Sequence, residues 1–171
     1  AELTLIENFE NDKSLITNIV CTLEILNNSK IEHIVTQRNK KNNNLFFTTF
    51  AKCDENSKYN QSIFNFSDGF VRNHHHADLN EKNSIANYNG VFFLKNSNFS
   101  ENKTYVRHKT ESCKSDQNYK GILNDSSKGV YNSFTIVDQD AQKTEGYQLS
   151  KGILLSEESS FFSKPELRIY A

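Results

Sequence analysis

Along the chain, apolar and polar residues alternate in short bursts, and Asn, Ser, Asp, Lys and Gly clusters separate the bursts. In Val20-Cys21-Thr22-Leu23-Glu24-Ile25 the apolar positions fall mostly on one parity, the period-two burial of a strand with one face turned inward. Segments of this kind are predicted at 16–26, 31–37, 45–53, 62–66, 70–79, 84–94, 104–109, 119–124, 130–137, 147–156 and 161–170. No window of a dozen residues carries the i, i+3, i+4, i+7 stripe of an amphipathic helix. The intervening clusters supply turns because Asn and Gly tolerate positive φ, and Lys40-Lys41-Asn42-Asn43-Asn44 reads as the clearest loop.

A repeat lies over this pattern. Gly90, Gly121 and Gly152 recur at equal spacing, each followed by an apolar run: Val91-Phe92-Phe93-Leu94, Ile122-Leu123 and Ile153-Leu154-Leu155. A turn-breaking Gly before an inward apolar run, recurring at fixed distance, is what stacked β-coils need. Hairpin sandwiches and barrels prefer tight Asn-Gly or Asp-Gly turns. Only Asn89-Gly90 and Asp68-Gly69 qualify, and both run directly into apolar residues. Twenty-three Asn and a single Pro suit a parallel β-solenoid, in which Asn side chains stack in ladders from coil to coil. The expected fold is all-β, a single β-helix domain over residues 1–171.

Composition narrows the function classes. The formal net charge of −1 gives no global positive field for nucleic acid or an anionic membrane. Apolar runs reach only four residues, against roughly 20 needed to cross a bilayer as a helix, and residues 1–7 carry no signal-peptide pattern. A chain of 171 residues that begins at Ala1 and has no Met is expected to be a processed or excerpted piece. Cys21, Cys53 and Cys113 are odd in number and far apart, which favours a reducing compartment over a disulfide framework. Six Asn-x-Ser/Thr triplets are read as a product of composition.

Candidate chemistry is sparse. His74 and His76 share a strand face, with Asp78 on the same parity, so two imidazoles could ligate one Zn²⁺ or Fe²⁺; a solvated face or an interface is the plainer reading. His33 and His108 stand alone and read as structural imidazoles. Cys21 reads as core; Cys53 precedes the acidic Asp54-Glu55, which raises rather than lowers a thiol pKa; Cys113 has one nearby cation, Lys114. Asp138, Asp140 and Glu145 cluster in a turn and motivate a rival reading, an extracellular polysaccharide-active or adhesive β-helix that uses Ca²⁺. No nucleophile elbow, phosphate-binding loop, dinucleotide fingerprint or H-E-x-x-H occurs.

The second half carries a more specific signal. Thr104-Tyr105-Val106-Arg107-His108-Lys109-Thr110, then Cys113-Lys114-Ser115 and Tyr119-Lys120-Gly121-Ile122-Leu123, resembles the SufB/SufD family of iron–sulfur cluster assembly proteins. Downstream, Asp140-Ala141-Gln142-Lys143-Thr144, Gln148, Leu154-Leu155-Ser156 and Lys164-Pro165-Glu166-Leu167-Arg168-Ile169-Tyr170-Ala171 resemble the SufD branch. The likeness is strong over 84–171, with Thr17-Asn18 and Phe70-Val71-Arg72-Asn73 as weaker anchors upstream. It implies a right-handed parallel β-helix core, truncated relative to the family at both ends, without turnover of its own. It also implies a cytosolic scaffold (stromal in a plastid-bearing source) that pairs with a SufB-like paralogue and a SufC-like ATPase, the cluster forming transiently on the parent complex.

In the family, an Asp-Asp-Val-Lys-Cys-Ser-His-Gly-like stretch with the interface ligands follows the position of Ala171, so the resemblance carries no cofactor or metal ligand onto this chain. Cys53 lies near the position of a sulfur-accepting cysteine of the SufB branch and is, with His74 and His76, a site to watch. His108, Ser115, Gly121, Ala141, Gln142, Gln148, Lys164 and Pro165 match family positions of expected structural role, the Pro165 turn leading into the next coil.

Overall fold

A computed structural model describes residues 1–13, 15–40 and 43–171. Among these residues every regular element is a strand: β1 Glu2–Phe9, β2 Ile16–Ile25, β3 Lys30–Gln37, β4 Asn44–Cys53, β5 Lys58–Asn65, β6 Phe70–Leu79, β7 Ile85–Leu94, β8 Phe99–His108, β9 Lys114–Leu123, β10 Lys128–Val137, β11 Glu145–Leu154 and β12 Ser160–Ile169. They form two six-stranded sheets, β1-β3-β5-β7-β9-β11 and β12-β10-β8-β6-β4-β2. Every pairing is parallel and joins a strand to its second neighbour in sequence. The chain is therefore a β-solenoid of six coils, each giving one strand to each sheet, as the alternating pattern predicts.

The coils keep a tight register without keeping one length. Asn44 pairs with Phe70 in one turn, whereas the later and longer turn takes Lys128 to Ser160. Strand lengths hold at eight or ten residues, so the variation is absorbed at the corners. One corner is built the same way five times. Asn28, Asn56, Asn83, Ser112 and Lys143 each take a left-handed φ of 54–61°. Asn accepts this conformation at least cost after Gly. The next residues are Ser29, Ser57, Ser84, Cys113 and Thr144, and the Ser57, Ser84 and Thr144 hydroxyls donate back to the carbonyls of Asp54, Glu81 and Ala141. The amide of Asn83 donates to Asn56 Oδ1 at 3.0 Å and that of Asn56 to Asn28 Oδ1 at 3.2 Å. This is the expected asparagine ladder. Lys40 and Asn43 lie outside strands and Asn44 opens β4, whereas Lys41 and Asn42, the middle of the expected loop, lie outside the described residues.

The glycine repeat has a different cause from the one its spacing suggested. Gly90, Gly121 and Gly152 lie inside β7, β9 and β11, not at turns before them. Gly121 pairs with Gly152, but Gly90 pairs with Tyr119 and Phe92 with Gly121, so the spacing of the glycines is not the register between β7 and β9. Each glycine makes room for a neighbouring ring. A Cβ on Gly121 would sit 2.2 Å from the Phe92 ring, one on Gly90 2.1 Å from Tyr119, and one on Gly152 2.6 Å from Phe161. Pro165 departs likewise from the expected turn: it lies in the middle of β12, opposite Ser133. A proline costs no bond to β10 there, because the β12 amides that bond β10 alternate with it in parity, as at Ser160 and Tyr170.

This packing sets two expectations. Gly121→Ala, which forces a methyl group into a buried ring, lowers unfolding stability by about 1–3 kcal/mol in urea titrations. Shortening Phe92 to Leu in the same chain restores part of the loss. Leu167 and Ile169 are 53% and 60% exposed although their parity points inward, and β12 has a partner on one side only. Amide hydrogen exchange at Leu167–Tyr170 is expected to be at least roughly tenfold faster than around Ile122.

Candidate functional site

The inward positions divide into an apolar edge and a polar spine. Ile25, Ala51, Cys53, Leu79, Val106 and Cys113 belong to one buried apolar cluster. Beside it, the register stacks His33, Gln61, Tyr88, Gln117 and Gln148 in one column of the β3-to-β11 sheet. Thr49, His75, Thr104 and Ser133 form the corresponding column of the other sheet. All of these but Gln148 are buried. Polar residues at inward parity explain why β5, β8 and β9 begin earlier than predicted: their first halves, such as Lys114-Ser115-Asp116-Gln117, lack apolar periodicity yet point Ser115 and Gln117 into the core. β1 has no counterpart among the predicted segments.

Hydrogen bonds bind the spine together. His33 Nε2 lies 2.6 Å from Glu7 Oε2 and its Nδ1 lies 2.9 Å from the Tyr59 hydroxyl. With the Glu7 carboxylate accepting, Nε2 carries the proton and Nδ1 accepts from Tyr59, a neutral imidazole held by both ring nitrogens. Burial is the main force lowering the His33 pKa, and Glu7 opposes it. His75 Nδ1 is 2.8 Å from Thr49 Oγ1, and burial, then the neighbouring histidines, push its pKa well down. Gln37, Asn73 and Asn102 exchange amide bonds of 2.7–3.1 Å, and Gln117 donates to Thr135 Oγ1 at 2.7 Å. Gln61 Oε1, His75 Nε2, Ser133 Oγ and the hydroxyls of Tyr88 and Tyr119 have no protein partner. Buried polar atoms of this kind are where ordered water or a polar guest bonds.

The residues singled out from sequence take definite places. Cys53 ends β4 with no exposed surface, and burial pushes its thiol up to about 12, so it is a protonated thiol and a poor nucleophile as it stands. Cys113 is buried with Sγ 3.3 Å from Ser84 Oγ, and burial raises it too; Cys21 is half-buried. His74 and His76 do share the outer face of β6, but their surroundings differ. His76 stacks between Phe50 and Tyr105, with ring centroids 4.9 and 5.5 Å away, while His74 lines a groove with Arg72 and Lys103. Asp78 is taken by Lys109 Nζ at 2.9 Å. Among the described residues no three His, Cys, Asp or Glu side chains converge as metal ligands. Asp138 pairs with Arg107 and Glu145 with Lys114, so the three turn carboxylates do not act as one group.

The motif residues lie at a corner, at cross-sheet bonds and on the last strand. Ala141-Gln142-Lys143-Thr144 is the β10–β11 corner: Ala141 is buried, Lys143 is left-handed, Thr144 bonds back, and the Gln142 carbonyl accepts the Ser112 amide at 2.8 Å. Gln148 donates to Thr135 Oγ1 at 2.7 Å. His108 Nε2 lies 2.9 Å from Ser115 Oγ, tying the end of β8 to the start of β9. Lys164, exposed on β12, faces the His74 groove.

With this architecture in place, the whole chain, residues 1–171, matches the profile of the SufBD core domain of SUF system FeS cluster assembly. The chain belongs to the SufBD core family. It is 26% identical over 174 residues to the iron–sulfur cluster assembly protein SufD of Escherichia coli strain K12, an alignment covering 100% of this chain and 41% of that protein. It is 23% identical over 154 residues to the iron–sulfur cluster assembly SufBD family protein slr0076 of Synechocystis, covering 90% and 34%. The chain thus spans about two fifths or less of the length of these relatives. Within this SufBD core, no helix among the described residues is long and apolar enough to cross a membrane.

The interior histidines give the core a pH dependence. Burial lowers the His108 pKa from 6.5 to about 4, with the Cys113 backbone opposing. The unfolded chain therefore takes up a proton before the folded one does. The stabilisation is full above the unfolded pKa and is lost as pH falls from about 6.5 toward 4. For His108 alone the loss between pH 7.5 and 5 comes to about 2 kcal/mol. Urea unfolding of His108→Gln at the two pH values is expected to show a correspondingly shallower decline than the parent chain.

Proposed function

We propose that this chain is the single-domain β-helical core of a SufD-like scaffold subunit for iron–sulfur cluster assembly. The observation that carries the reading is the family match over all 171 residues, supported by the similarity to SufD from Escherichia coli along the entire chain. In this reading the parent protein pairs with a SufB-like paralogue and binds a SufC-like ATPase, in the cytosol or a plastid stroma. The cluster is cargo of the complex, and the core has no turnover of its own.

Three features of the site support that division of labour. Both buried thiols sit in the apolar cluster with raised pKa values, which suits packing and not sulfur chemistry. His108, Ser115, Gly121, Ala141, Gln142 and Gln148 serve corners, cross-sheet bonds and ring packing. The outward His74 and His76 are committed to a groove and to an aromatic stack. A scaffold needs this kind of rigid, repetitive frame to present surfaces at fixed distances.

Affinity purification of the full-length parent under gentle lysis is expected to recover a SufB-like and a SufC-like chain together. Recovery of neither would overturn the assignment.

A further inference from the structure

The outer face of the β12-to-β2 sheet carries a groove of about 630 Å³ that the scaffold reading leaves without a role. Its floor is one register column. His74 pairs with Lys103, Lys103 with Asn132, and Asn132 with Lys164. Neighbouring strands lie about 4.8 Å apart, which sets Lys103 and Lys164 roughly 10 Å from each other with Asn132 between them. The two acids of the groove are already matched: Glu101 holds Arg72 at 2.6 Å and Glu166 holds Arg168 at 2.7 Å. Neither Lys103 nor Lys164 has an ion-pair partner among the described residues, so the column keeps two uncompensated ammonium groups.

The rest of the wall has the same polarity. Tyr105 and Phe134 stack on each other at 5.4 Å and 17°, so their faces are occupied and the column turns ring edges outward. Ring edges are the positive part of the aromatic quadrupole. A volume of this size suits a small molecule more than a macromolecular surface.

We propose that this groove binds a small polyanion, a polyphosphate or a polycarboxylate, with its oxyanion groups bridging Lys103 and Lys164. Binding of such a ligand weakens as salt rises, because the lysines are exposed.

Calorimetric titration of the intact protein at low ionic strength tests the site, with sodium tripolyphosphate and citrate as separate probes. One saturable site is expected for at least one probe, and whichever binds more tightly identifies the source of the anion. Lys103→Gln with Lys164→Gln is expected to weaken that binding by roughly tenfold or more, with the circular dichroism spectrum unchanged. The control is Lys120→Gln with Lys151→Gln, an exposed pair of register neighbours on the opposite sheet, outside this groove. That control is expected to bind like the parent. An equal loss in both double variants, no loss in the first, or no saturable binding of either probe up to about 10 mM would overturn the proposal.

Discussion

No coil of this protein can satisfy its own backbone. Each strand has extended N–H and C=O groups whose partners lie a full turn away, at register distances such as Asn44 to Phe70. Parallel pairing therefore makes every coil depend on its neighbours, and the remaining features keep that pairing in register. The repeated left-handed corner returns the chain at the same height each time. The serine and threonine hydroxyls close the corner carbonyls, and the Asn28–Asn56–Asn83 amides bond corner to corner along the stack. Unpaired backbone groups in such a stack would cost several kcal/mol in total, so the corners protect the pairing as much as they shape it.

Register has a second effect, because it decides which side chains meet. Inside, it aligns polar groups into a continuous spine, from the Glu7–His33–Tyr59 chain to the Gln117–Thr135–Gln148 bonds. Outside, it aligns Phe50, His76, Tyr105 and Phe134 into one stack and His74, Lys103, Asn132 and Lys164 into one column that carries two lysines. Residues far apart in sequence act as neighbours in a column. In this member of the SufBD core family, chemistry is thus ordered by height and column.

The fold class was legible because period-two burial and Asn-rich corners are local signals. The outward parity of His74 and His76 was legible for the same reason, and the motif Ala141 to Thr144 carried the family. Columns were not legible. Nothing local in Lys103 or Lys164 reveals that they share one, since the step from coil to coil drifts between Asn44–Phe70 and the longer Lys128–Ser160. The polar interior hid the starts of β5, β8 and β9, where inward Gln61, Ser100 and Gln117 break the expected apolar alternation. The Gly spacing suggested stacking but misplaced its register, because a glycine facing a ring responds to the neighbouring coil and not to its own turn.

The modest drift in coil length also bears on how the chain acquires its shape. Adding a coil closes a loop of roughly 30 residues, and between the shortest and longest coils the entropic penalty changes by only about 0.2 kcal/mol. Growth from any formed pair of coils is then nearly as favourable in one direction as in the other, a zipper without a preferred tooth. During synthesis the direction is set by the ribosome. The coil of β1 and β2 has its partner once β4 has emerged, so folding can advance one turn at a time behind translation, with the polar spine losing its water in the same steps.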